Sequence, residues 1–223
     1  MNTRFLATLA GTVIVTVMFM IWATAQLHAP RGKANTGFEQ ERAMKTLSRI
    51  LGPQVPHVVG SPANNAIKDR IVQELSAAGY VPELYSAVQC APPEASPGCT
   101  YVENIIAVKQ GTVSGKAVLV SAHYDSVPAG PGVSDDLAGT AIVVELAKTM
   151  VKRKTRNDVV FLITDGEEVG LRGALAFAAS HPLFKQIGIL VNLEARGASG
   201  PSMMFETGSG SAKLIDLFAR TVP

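Results

Sequence analysis

The sequence predicts an α/β fold with a mixed, largely parallel central sheet and helices on both faces. Three observations predict it. Apolar runs of strand length alternate with helical stretches from Val81 onward. The run Lys116–Ala122 is almost continuously apolar, as expected of a strand covered on both faces. Finally, one histidine and several acids fall just past three such runs: His123 and Asp125, then Glu167 and Glu168 after FLITDG, then Glu194 after ILVN. Ligands collect at the carboxyl ends of strands in sheets of this kind.

The elements follow in chain order. A helix is expected near Glu39–Leu51, with Ala43, Met44, Leu47, Ile50 and Leu51 on one face. Ser61-Pro62 supplies an N-cap and a first-turn proline for the next helix, which Gly79 ends; Ile67, Ile71, Leu75 and Ala78 form its apolar stripe. Val81–Ser86, Tyr101–Val108, Lys116–Ala122, Asp158–Thr164 and Ile187–Leu193 read as strands. Ala138–Lys152, Leu171–Ser180 and Ser211–Arg220 read as helices.

The chain has 223 residues, enough for one domain with an appendage. Its net charge is +2 with Lys and Arg scattered, which gives no support to nucleic-acid binding. Cys90 and Cys99 flank APPEASPG, a spacing unlike zinc ribbons or redox pairs, so a disulfide closing this loop is expected, with two free thiols as the alternative. The bridge would contribute about 3 kcal/mol through chain entropy and point to an oxidising compartment.

Phe5–Ala25 carries no charge and is long enough to cross a hydrocarbon core of about 30 Å as a helix. Residues 1–30 are therefore expected to form an uncleaved N-terminal anchor, 31–37 a linker, and 38–223 a folded domain outside the cytoplasm (periplasmic, extracellular or lumenal). A secretion signal cleaved after Ala23-Thr24-Ala25 is the alternative.

The polar residues at the strand ends suit a metal. His123 supplies an imidazole, and Asp125 two residues on can orient it. Asp135, in a Gly-rich loop leading into a helix, suits a carboxylate that bridges two ions. Glu167 and Glu168 are adjacent, so their side chains diverge; one can bind metal while the other acts as a general base. The competing readings are structural. His123 could be a satisfied core histidine partnered by Asp125, Asp136 a helix cap, and Asp165 a hydrogen-bonding strand end. Arg172 and Arg196 would be structural or solvated, Met203 and Met204 packing residues, and His28, His57 and His181 without a metal role. Ser126 lacks the G-x-S-x-G setting of a serine nucleophile.

HYDS, GVSDDLAG, GEEVGLRGA and NLEARG, in this order and spacing, resemble the zinc-dependent aminopeptidases of the leucyl aminopeptidase and glutamate carboxypeptidase type. ERAMKTLSRIL and PHVVGSPANNAIKDRIVQEL are similar to the subgroup of endoplasmic-reticulum metallopeptidases and their membrane-anchored bacterial relatives. The resemblance implies a zinc-peptidase α/β/α sandwich with two zinc ions, acting on peptides with a free N-terminus. It implies that His123 and Glu194 bind one zinc and Glu168 the other. Asp135 would bridge them, Glu167 would act as general base, Asp125 would hold the His123 ring, and the Asp135–Asp136 peptide would be cis. The family's last ligand, a histidine beyond the NLE strand, has no counterpart here, so the chain is expected to be the amino-terminal portion of a longer protein. The same fold hosts carboxypeptidases, other amide hydrolases, a single-zinc glutaminyl cyclase and non-catalytic ectodomains, which remain the alternatives.

Overall fold

The computed structural model describes residues 3–27, 37–91, 98–195 and 203–221, and of the first helix the side chains of 9–22. The chain divides into two units, Asn35–Arg196 and a second made of Met1–Ala34 with Gly197–Pro223. The second unit holds α1 (Thr3–Leu27) and α6 (Ala212–Thr221). Among the described residues, no helix is long and apolar enough to cross a membrane. Met203 and Met204 are exposed in this unit rather than packed. The expectations for His28, Arg196 and most of the linker lie outside the described residues.

The larger unit begins with α2 (Gln40–Leu51) and α3 (Pro62–Ala77). The Ser61 hydroxyl accepts the Asn64 N–H, the N-cap that the Ser-Pro pair predicts. Strand β1 (Glu83–Cys90) pairs antiparallel with β2 (Cys99–Lys109), and Cys90 and Cys99, opposite each other, are joined as a disulfide. Strand β3 (Ala117–His123) leads through an irregular turn at Val133–Leu137 into α4 (Ala138–Met150). Then come β4 (Val159–Thr164), α5 (Arg172–Ser180), a short 3-10 turn and β5 (Ile187–Asn192).

The five strands run in the order β1-β2-β4-β3-β5. β3 pairs parallel with β4 and β5, whereas β1–β2 and β2–β4 are antiparallel. The sheet is mixed as expected but is not largely parallel. The cause is local: β1 and β2 are consecutive strands only eight residues apart in sequence, too few for a crossover, so they pair antiparallel, and β2 in turn runs antiparallel to β4.

Side-chain alternation splits the core between the two faces. Ile105, Val120, Ala122, Phe161 and Ile163 pack against α2, α3 and α4 through Ile50, Ile71, Leu75, Val143 and Val144. Ile106, Leu119, Val160 and Leu162 face the other way and pack against Phe177 of α5. β4 is buried along its whole length, so its six apolar residues VVFLIT need no polar alternation. β5 at the edge leaves Ile189, Leu190 and Val191 exposed. Two apolar assignments differ from expectation. Met44 points to solvent, and Thr46 takes the inward place, where its hydroxyl accepts from Lys148. Val81 is exposed ahead of β1, which starts at Glu83.

Candidate metal centre

His123 is the last residue of β3, the acids 165–168 follow β4, and Glu194 follows β5. Because these three strands are parallel, their ends meet on one side of the sheet. The sequence stops each strand with polar residues where the apolar run ends, and the register then aligns His123 with Thr164.

His123 Nε2 lies 3.1 Å from Asp135 Oδ1, 3.7 Å from Glu194 Oε1 and 3.9 Å from Glu167 Oε2. His123, Asp135 and Glu194 each offer a ligand atom within 4.8 Å of the others. The ring is buried, while the Asp135 side chain is 56% exposed, so the cluster opens to solvent on the Asp135 side. Burial alone would lower the His123 pKa, but its hydrogen bonds with Asp125 and Glu194 and the charges of Asp125 and Asp136 drive it up to about 11. Glu194 ends below the ordinary carboxylate range: burial pushes it up, but the His123 contact and the Ala195 N–H outweigh that. Glu167 is raised, first by burial and then by the charges of Glu194 and Glu168, against the pull of His123.

Asp125 contacts the His123 ring and also does a second job. Its carboxylate is fully buried and accepts the Glu167 N–H at 2.9 Å and the Glu168 N–H at 3.1 Å. The His123 Nδ1 is nearer the Asp125 backbone oxygen, at 3.1 Å, than its carboxylate, at 3.5 Å. Asp125 thus fixes the ring and, at the same time, the backbone that carries both glutamates. Asp136, after a cis peptide from Asp135, accepts the His123 and Gly139 backbone N–H groups; burial raises its carboxyl to about 8. Asp165 accepts from the Asn64 amide and the Glu103 N–H, and burial, followed by the Asp125 charge, lifts it to about 6. Glu168 stands outside the three-residue group; its carboxylate takes the Val127 backbone N–H, and burial followed by the Asp135 charge raises it.

Several supporting residues carry no signal readable in the sequence. The His57 backbone N–H donates to Ser126 Oγ, and its carbonyl accepts from Ser126 N and the Asn64 amide. Its ring is buried with Nε2 lacking a partner among the described residues. Asn104 takes the Asp165 N–H and donates to the Gly173 carbonyl. An asparagine on an apolar helix or strand marks such a buried bond, but not its partner. His181 has no place in the site: it accepts the Leu183 N–H and faces Glu83. Arg172 is buried beneath Gly166 and Gly170, and Ser126 serves His57.

The donor set fits a divalent cation. Three acid oxygens surround one imidazole nitrogen, and the other ring nitrogen is held by Asp125, which is how a histidine ligand is oriented. The proton retained at high pH marks a position where positive charge is favoured, and a cation would displace it.

These features define an α/β protein with an imidazole–carboxylate cluster at the carboxyl ends of three parallel strands. Residues 104–223 match Peptidase family M28, and the chain belongs to that family. It is 34% identical over 154 residues to a vacuolar membrane protease of Candida albicans, covering 67% of this chain and 18% of the relative, so it spans under a fifth of that protein's length. By structure it is similar to an aminopeptidase from Aneurinibacillus sp. strain AM-1, with a TM-score of 0.59, 15% identity and 70% of each chain covered. It is also similar to a glutaminyl cyclase of Porphyromonas gingivalis, with a TM-score of 0.63 and 20% identity over 76% of this chain and 63% of that one. At these identities the likeness is one of fold.

Proposed function

We propose that the chain carries the active site of a membrane-anchored, two-zinc aminopeptidase that removes residues from the amino end of peptides. The carrying observation is the convergence of His123, Asp135 and Glu194, with the raised carboxyl of Glu167 3.9 Å from the same imidazole nitrogen. In this reading His123 and Glu194 hold one zinc, Glu168 contributes to the other, and Asp135 serves both. Zinc bound there supplies Lewis acidity, which lowers the pKa of water and polarises a carbonyl oxygen. Glu167 takes a proton from the attacking water and returns it to the departing amine; a carboxyl raised by burial suits both halves of that exchange. Asp125 keeps Glu167 and Glu168 in register with His123 through the two backbone hydrogen bonds.

Residues 1–30 are proposed as the anchor, 31–37 as linker and 38–223 as the catalytic domain, outside the cytoplasm. Two observations support the anchor: the run Phe5–Ala25 carries no charge, and the C. albicans relative is called a membrane protease. The Cys90–Cys99 bridge supports an oxidising compartment.

The position of Glu168 outside the three-residue group favours a second reading, a single-metal or non-catalytic ectodomain of the same fold. Metal stoichiometry and turnover of aminoacyl against amino-blocked peptides separate the two. Glu167→Gln is expected to lower turnover by roughly 100- to 10,000-fold while leaving bound zinc unchanged. Undiminished turnover would remove Glu167 from the chemistry.

A further inference from the structure

The two ends of the sheet carry opposite charge. The metal cluster and its acids occupy the carboxyl ends of β3, β4 and β5. The other end is built from the starts of β1, β3, β4 and β5 and the end of β2, as the strand pairings require. Its loops expose Lys116, Lys152, Lys154, Arg156 and Lys185. Most acids on that side are already engaged, Glu39 by Arg42 among them, and Glu41 in the first turn of α2 is the exposed exception. Asp158 accepts the Gly111 N–H, Glu83 faces His181, Glu74 is bound by Arg49 and Lys148, and the buried Glu145 is paired with Arg42. The exposed cations therefore have no local counter-charge from these groups.

The same loops also expose apolar side chains. Val81 is 94% exposed ahead of β1, Val113 49% in the loop before β3, and Phe184 43% in the turn before β5. Cations interleaved with exposed apolar groups are what a surface needs to sit among lipid headgroups. The chain also enters the domain here. Gly37 lies against Thr149 and Arg153 at the end of α4, and its carbonyl accepts from Arg42. Gly37 comes ten residues after α1 ends at Leu27.

We propose that this basic end docks on a bilayer containing anionic phospholipid and directs the metal centre toward the aqueous side. The proposal rests on the reading of α1 as a membrane anchor, which sets the occupant: lipid, rather than nucleic acid or an acidic protein. Docking at this end leaves the strand ends that carry His123 and Glu194 open to soluble peptides, so access to the site does not compete with membrane contact.

The test uses the full chain reconstituted in nanodiscs of phosphatidylcholine alone or with about 30% phosphatidylglycerol, an anionic lipid not confined to a cytoplasmic leaflet, read by hydrogen exchange. Slowed exchange is expected in 110–116, 151–158 and 181–186 in the anionic discs only, with release at about 0.5 M salt. K152E/K154E/R156E is expected to shift the docked-to-undocked ratio at least roughly a hundredfold, since each cation contributes about fivefold near an anionic surface. Equal exchange in the two kinds of disc, or equal protection in the variant, would overturn the proposal. So would protection by added polyglutamate but not by anionic discs, which would assign the face to an acidic protein. Alkaline extraction reports on the anchor separately. A chain that resists extraction yet shows no protection keeps the anchor and loses the docking. A chain that is extracted yet was protected on anionic discs loses the anchor and keeps the docking.

Discussion

Replacing Asp125 with asparagine tests the reasoning about the site most sharply, because the side chain is isosteric and fully buried. In the native chain its two oxygens accept the Glu167 and Glu168 N–H groups at 2.9 and 3.1 Å. Asparagine keeps one acceptor, and its amide turns N–H against N–H at the other position. One buried backbone donor then loses its partner, at a cost of about 1–3 kcal/mol, and the remaining bond loses its ionic component. A total of about 2–4 kcal/mol lowers the melting temperature by roughly 5–15 °C in a chain of this size. The His123 ring keeps the Asp125 backbone oxygen at 3.1 Å, so its Nδ1–H remains held. Zinc affinity still falls about 10- to 100-fold, because the glutamates lose their register. Calorimetric melting without metal and zinc titration of the same protein read the two effects independently. A variant with native melting temperature and native zinc affinity would refute the positioning role of Asp125.

Glu74 sets the acid limit. The Arg49 hydrogen bond, opposed by burial and helped by Lys148, holds its carboxyl down to about 2. A folded pKa below the unfolded value of about 4.3 stabilises the fold above that value, and the gain is lost as pH falls from about 4.3 toward 2. E74Q is expected to lose about 1–2 kcal/mol at pH 7, since the half-exposed Arg49 partner is screened by solvent, with the difference from the native chain shrinking as pH falls from about 4.3 toward 2 in urea titrations. Gly132 has φ +55°, and an added Cβ would lie 2.8 Å from Ser126 Cβ and 2.9 Å from the Asp135 carbonyl. G132A should weaken zinc binding at least tenfold by displacing Asp135, measurable by the same titration. C90A/C99A removes a bridge between residues nine apart in sequence and should cost about 2–3 kcal/mol while leaving zinc affinity unchanged.

Most of the framework was legible because it depends on local pattern. Ser61-Pro62 sets the start of α3, and the apolar runs before His123 and Asp165 define β3 and β4 to within a residue or two. The positions of His123 and Glu194 followed from strand ends alone. What pattern could not supply is pairing. Nothing in YVENIIAV states that β2 runs antiparallel to β4, so the proportion of parallel strands was overestimated. The role of Asp125 was assigned by sequence proximity to His123. Its stronger partners are more than forty residues away, reached only when β3 and β4 align. His57, Asn64 and Asn104 were invisible for the same reason: their partners lie across the fold.

The acids at the strand ends divide by burial into two kinds. Asp125, Asp136 and Asp165 are at most 3% exposed, and each accepts two hydrogen bonds from backbone or amide groups. Asp135, Glu167 and Glu194 are the more exposed, and these are the three whose oxygens approach His123 Nε2. A buried carboxylate that accepts two N–H donors is fixed in orientation by them, whereas a solvent-facing one keeps its lone pairs free for a cation. The pairs His123/Asp125, Asp135/Asp136 and Asp165/Glu167 therefore each combine a residue that faces the cation site with one that anchors its loop. That division explains why adjacent acids of identical chemistry are not interchangeable. D136A would therefore spare every oxygen that faces the cation site and still disable it, because the loop would lose its anchor to the His123 and Gly139 backbone.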